Sequence, residues 1–165
     1  MSKSVEQLMI ALNKEYEMYQ DVLEIARKKR NVIIEGKIKE LDGITGEEQA
    51  MIISIGKLEN IRESIIRNIV KEMNVSDIKN ISMLAEHLDD KTKNEILAIR
   101  DKFSEVLKMV KEENDLNSKL IEQSLEYIEF NKNILTTLEN RGSTYGSDAD
   151  ERDVNIKSNL FDAKI

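Results

Sequence analysis

Nine positions between residues 5 and 33, spaced alternately four and three apart, carry Val5, Met9, Leu12, Tyr16, Tyr19, Leu23, Ala26, Arg30 and Ile33. All but Arg30 are side chains that pack in an apolar seam. A seam with this spacing is the heptad pattern of a long helix lying against other long helices. The same texture runs through most of the chain, and proline is absent from all 165 residues. Without proline nothing interrupts the backbone ladder of a long helix. Aromatic residues make up only 4% of the chain, as suits a thin bundle that buries little core per residue.

The first helix is expected over residues 4–35. Ser4 serves as its N-cap, Arg27 to Arg30 complement the negative end of its dipole, and Gly36 stops it. A second helix spans residues 37–73, with the seam Leu41, Ile44, Glu48, Met51, Ile55, Leu58, Arg62, Ile65 and Ile69. Gly43 and Gly46 weaken its start. It either continues through them with a kink or begins afresh at Thr45, where Thr45 and Glu48 fit a capping box. Residues 74–90 connect, and Ser76-Asp77 can cap a short helix carrying Ile78, Ile81, Leu84 and Leu88. A third helix spans residues 90–140, with the seam Ile96, Arg100, Phe103, Leu107, Val110, Asn114, Asn117 and Ile121.

The fold expected is therefore all-α: an elongated, coiled-coil-like antiparallel bundle of three long helices. Residues 1–141 form the helical domain. Residues 142–165, rich in Ser, Asp and Asn, form a disordered tail broken only by Asn159-Leu160-Phe161-Asp162.

A rise of 1.5 Å per residue makes the three helices roughly 48, 55 and 75 Å long. Up–down–up packing leaves the third helix without an intrachain neighbour beyond about residue 126. Its apolar face is widest there. Leu120, Ile121, Leu125, Tyr127, Ile128, Phe130, Ile134, Leu135 and Leu138 form the candidate partner-binding surface. A second copy of the chain, or the tail, is an alternative cover for it, and monomer and dimer both stay open.

Charged seam positions lose hydration and are tolerated when paired. In a hairpin turning near residues 36–42, paired residue numbers sum to about 78. That sets Arg30 against Glu48, and Arg62 against Tyr16 or Glu15. Asn114 and Asn117 are candidates for fixing register.

Little points to catalysis. The single histidine, His87, has too few companions for a metal site, and the acidic run at Asp148, Asp150, Glu151 and Asp153 lacks calcium-loop spacing. The six glycines form no phosphate-cradling pattern, and no nucleophile has a recognisable base. The expectation is a protein that is not an enzyme and has no cofactor. A net charge of −7 without a basic stripe argues against nucleic acid. No segment is long and apolar enough for membrane insertion, none resembles a signal peptide, and cysteine is absent, all compatible with the cytoplasm.

Four segments carry a family likeness. The first runs from Glu24 through Ala26-Arg27-Lys28-Lys29-Arg30 to Gly36, followed by Ile38 and Leu41. The second is Glu47-Glu48-Gln49 leading into Leu58-Glu59-Asn60-Ile61-Arg62. The third is Asn114-Asp115-Leu116-Asn117 with Leu120-Ile121 and Ser124-Leu125-Glu126-Tyr127-Ile128. The fourth is Thr144-Tyr145-Gly146 with Leu160-Phe161-Asp162 near the end. In this order and spacing the chain resembles the FlgN family of flagellar export chaperones. The resemblance implies a cytoplasmic, non-enzymatic chaperone. Its clients would be hook–filament junction (hook-associated) proteins, kept unpolymerised and delivered to the flagellar type III export apparatus. It also implies substrate binding in the C-terminal helical region. The competing reading is a structural coiled-coil protein that self-associates through the same face.

Overall fold

The computed structural model describes residues 2–75, 78 and 80–142, with no side chains given beyond residue 139. Four helices follow one another: α1 (Lys3–Ile34), α2 (Ile38–Met73), the short α3 (Ile81–Ala85) and α4 (Asp90–Gly142). Three are long, and there is no strand among the described residues. The chain divides into two compact units, Met1–Ser124 and Leu125–Ile165. The expectations of a disordered tail and of a Ser76-Asp77 cap fall outside the described residues.

Local chemistry sets the helix ends. Ser2, not Ser4, caps α1 by accepting the amide of Val5 at 3.4 Å. Ser4 is turned inward, where its hydroxyl donates to Glu72 of α2. Gly36, with φ of +67°, closes α1. The amides of Gly36 and Lys37 donate back to Ile33 and Val32, a Schellman motif that needs the left-handed glycine. Asn74, at φ +51°, does the same for α2, with Asn74 and Val75 donating to Lys71 and Val70. There is no fresh start at Thr45. α2 runs unbroken through Gly43 and Gly46, and the Thr45 hydroxyl donates to the Leu41 carbonyl one turn back. Asn80 caps α3, and Asp89 accepts the amide and hydroxyl of Thr92 at the start of α4.

In the first unit the register follows three side-chain pairs: Ser4 with Glu72, Glu15 with Arg62, and Lys29 with Glu48. They make α2 antiparallel to α1, within a residue or two of the hairpin register expected from sequence. α4 runs parallel to α1. Ile96 packs with Leu8 and Leu12, Phe103 meets the Tyr19 ring edge-on at 5.1 Å, and Asn117 reaches Ala26.

One core cluster gathers Val5, Leu8, Leu12, Ile69, Leu84 and Ile96. A second forms around Leu23, Val106 and Val110. All nine expected α2 seam positions are buried or half-buried. α1 buries a wider stripe than its seam, adding Leu8, Ala11, Glu15 and Val32, because it faces both α2 and α4. On α4 the seam differs. Leu107 and Asn114 are exposed, and Val106 is buried instead. A straight helix drifts against a strict heptad, so an idealised seam misplaces positions by one.

The basic run is placed otherwise than expected. No basic residue lies in the last turn of α1. Arg27 and Arg30 approach Glu113 of α4 at 3.8 and 2.8 Å, while Lys28 and Lys29 approach Glu47 and Glu48 of α2 at 4.0 and 2.6 Å. Arg30 thus pairs across to α4, not with Glu48. A one-residue shift in register gives Glu48 to Lys29.

Candidate functional site

The nine side chains singled out from the sequence divide at the boundary between the two units. Leu120 and Ile121 are half-buried in the first. Leu125, Tyr127, Ile128, Phe130, Ile134, Leu135 and Leu138 belong to the second, and all are exposed, from 42% at Ile134 to 68% at Tyr127. Steps of three and four connect them: Leu125 to Ile128, Tyr127 to Phe130 to Ile134, and both Ile134 and Leu135 to Leu138. At about 100° per residue Tyr127, Phe130, Ile134 and Leu138 form one stripe, Ile128 and Leu135 lie beside it, and Leu125 lies further round the helix. Thr136 and Thr137 donate their hydroxyls to the carbonyls of Lys132 and Asn133, so these polar groups are spent on the helix itself. Six large apolar side chains on one broad side of the helix, with Leu125 next to them and all seven exposed, exceed the scattered apolar exposure usual at a protein surface.

A second feature lies wholly in the first unit. Between α2 and α4, floored by Tyr19 and Val22 of α1, runs a groove of ≈ 500 Å³. Ile52, Ile55 and Gly56 line one wall, and Val110, Asn117 and Ile121 line the other. Asn117 is buried, and its Nδ2 donates to the Ala26 carbonyl at 2.8 Å. Its Oδ1 is buried without a hydrogen-bond partner. Lys29 and Glu48 stand at one end, and Glu59 at the other.

The chain matches the FlgN protein family over residues 1–153. It belongs to the FlgN family, a family of flagellar export chaperones. The uncharacterized protein YvyG of Bacillus subtilis (strain 168) is 26% identical over 147 residues, 89% of this chain and 90% of that one. No solved structure matches. The FlgN match includes the whole face at residues 125–138 and both walls of the groove. Leu160-Phe161-Asp162 lies beyond it.

Buried charge in this FlgN-family chain concentrates at Glu15. Its side chain is 0% exposed, with Oε2 3.0 Å from Arg62 Nη1, yet neither carboxylate oxygen accepts a well-directed hydrogen bond. Burial pushes the Glu15 carboxyl above the usual carboxylate range. Arg62 opposes the rise and the negative charge of Glu59 adds to it. Burial, then Glu59 and Glu15, likewise raises the Tyr19 phenol. His87 is exposed, with Nδ1 3.0 Å from the Met83 carbonyl. Among the described residues no three His, Asp or Glu side chains are placed to hold a metal, and no helix is long and apolar enough to cross a membrane.

The heptad pattern carries no sign of the groove. Ile52, Gly56 and Glu59 sit beside the α2 seam, not in it, so a count of seam positions passes over them. The one available signal was Asn117. A polar residue inside an apolar seam marks a place where packing is interrupted, and here it borders the open space.

Proposed function

We propose that this chain is a cytoplasmic export chaperone for hook–filament junction proteins, and that the face formed by Leu125, Tyr127, Ile128, Phe130, Ile134, Leu135 and Leu138 captures them. The single observation that carries the reading is the exposure of seven large apolar side chains within fourteen residues of one helix. An amphipathic helix of the client is the complementary shape, because it lays its own apolar stripe on such a surface. Covering the client's assembly-competent segment keeps it unpolymerised until delivery to the type III export apparatus. Leu120 and Ile121, half-buried in the first unit, belong to the same proposal and offer less exposed area. The division into a chaperone domain, residues 1–141, and a separate tail, residues 142–165, belongs to the same proposal, as does the absence of catalysis.

The test is a pulldown with each junction protein as bait. The intact chain should be retained and Phe130→Ala should be retained poorly. Retention of neither would overturn the reading. Light scattering addresses self-association through the same face. A stable oligomer that Phe130→Ala dissolves, together with no bait retention, would make the chain a scaffold.

A further inference from the structure

We propose that the groove between α2 and α4 is a docking site for a basic amphipathic helix of a partner protein, separate from the face at residues 125–138. Its dimensions fit a helix. The α2 wall extends from Glu48 to Glu59 and the α4 wall from Val110 to Ile121, in each case three turns or about 16 Å. The spacing along each wall is that of one helix face, so the opening follows the helix axes.

Three features of the walls point to an occupant. Gly56 leaves bare backbone in the α2 wall, and a Cβ built there would meet nothing within 4 Å. A helix can therefore approach this wall closely. Asn117 is 3% exposed, and its Oδ1 is a buried acceptor without a donor. The amide cannot be turned round, because that would set Oδ1 against the Ala26 carbonyl that Nδ2 now reaches. Buried polar atoms in folded proteins are nearly always satisfied. Asn117 lines the groove, so a small turn of its side chain brings Oδ1 to an N–H or O–H supplied by an occupant. Finally, Lys29 is committed to Glu48 at 2.6 Å, whereas Glu59 has no ion pair among the described residues. The rim thus carries an uncompensated carboxylate.

That charge decides between occupants. Among the described residues the other unpartnered amphipathic stretch is the α4 segment from residue 122 on, which a second copy would bring. It carries Glu122, Glu126, Glu129 and Glu139 against Lys132 alone, and would set acid against acid. A partner helix with a basic residue near Glu59 and a donor side chain near Asn117 satisfies both walls. Like charges across an interface count against a pairing as strongly as opposite charges favour one.

The test uses the full chain, which lacks tryptophan. The probe is an acetylated, amidated peptide of Leu, Ala and Lys, patterned as an amphipathic helix of about four turns with one tryptophan on its apolar face. Its fluorescence should shift to the blue and saturate with protein, and the Asn117 side-chain amide signals should move in the NMR spectrum. Gly56→Leu fills the groove without harming helix propensity, and should weaken binding about tenfold or more. Should that variant fail to fold, the exposed Ile52→Lys tests the same wall, since it removes an apolar contact and sets like charge against the peptide. A peptide with Glu in place of Lys should bind about tenfold more weakly. The movement of the Asn117 signals, which reports the groove alone, should be the same in Phe130→Ala. The proposal is overturned by Asn117 signals that still move in both wall variants, by Asn117 signals that no longer move in Phe130→Ala, or by equal affinity for the two peptides. Self-association that Gly56→Leu abolishes, without peptide binding, would assign the groove to a second copy and also overturn it.

Discussion

Replacing Arg62 with methionine should expose how the interior of the first unit handles charge. Arg62 is the cation 3.0 Å from a carboxylate, Glu15, whose side chain has no exposure. Methionine keeps most of the stem's apolar volume, so the change isolates the charge. Taking one partner from a buried ion pair costs about 3–5 kcal/mol, because the remaining charge stays desolvated. Glu15 can escape by binding a proton. Its carboxyl already lies above the ordinary value of 4.5, chiefly through burial, and Arg62 is the influence that opposes the rise. Without Arg62 it must rise further.

A carboxyl that holds its proton more tightly folded than unfolded adds stability below the unfolded pKa, and that stability is lost as pH rises through the folded value. The penalty of Arg62→Met should therefore be largest at neutral pH and should shrink towards pH 4.5 and below. Urea unfolding followed by circular dichroism at both pH values, compared with the unaltered chain, measures it. The double variant Glu15→Leu/Arg62→Met should recover most of the loss, since an apolar pair of similar volume is commonly neutral or stabilising by about 1–4 kcal/mol. A neutral-pH loss under about 1 kcal/mol, or an equal loss at both pH values, would mean that the Glu15 charge is not desolvated.

Four further outcomes are expected. Phe130→Ala should weaken junction-protein binding by about 1–3 kcal/mol while the thermal midpoint barely moves, read by calorimetric titration and a melting curve. Leu8→Ala, at a fully buried position, should cost about 2–5 kcal/mol in urea melts. The Thr92 amide and hydroxyl hold Asp89 below the usual carboxylate range. Its stabilising contribution should be present above the ordinary carboxylate pKa and vanish as pH falls through the depressed value, so Asp89→Asn should flatten the acid limb of a stability–pH curve. Removing the chain after Arg141 should leave the helical content and melting of the bundle unchanged. A large loss would show that the tail belongs to the folded domain.

What the sequence made legible, and what it hid, divides along one physical line. Helix existence, order and antiparallel register rest on a one-dimensional period, and Ile44, Ile55 and Ile69 fell on the buried side as that period required. Pairing depends on which of two adjacent residues leans across a given gap. That is a rotation of about 100° about the helix axis, which a heptad count cannot resolve. Hence the period sets Glu48 against Arg30 where the structure pairs it with Lys29, whereas Arg62 meets Glu15, one of the two partners the period allows. Asn114 and Asn117 show the same limit at a single turn: one is exposed, while the other is buried against Ala26.

Face and groove differ in the same way. A face belongs to a single helix, so spacing alone announces Tyr127, Phe130 and Ile134. A groove arises where two helices diverge over a third, from small residues and gaps that have no period of their own. Gly56 in an α2 that tolerates Gly43 and Gly46 without breaking carries no distinguishing mark until α4 is placed opposite it. The surfaces that strand a polar atom, as at Asn117 Oδ1, are therefore found by accounting for hydrogen bonds in three dimensions, and only then traced back to the residues that made them.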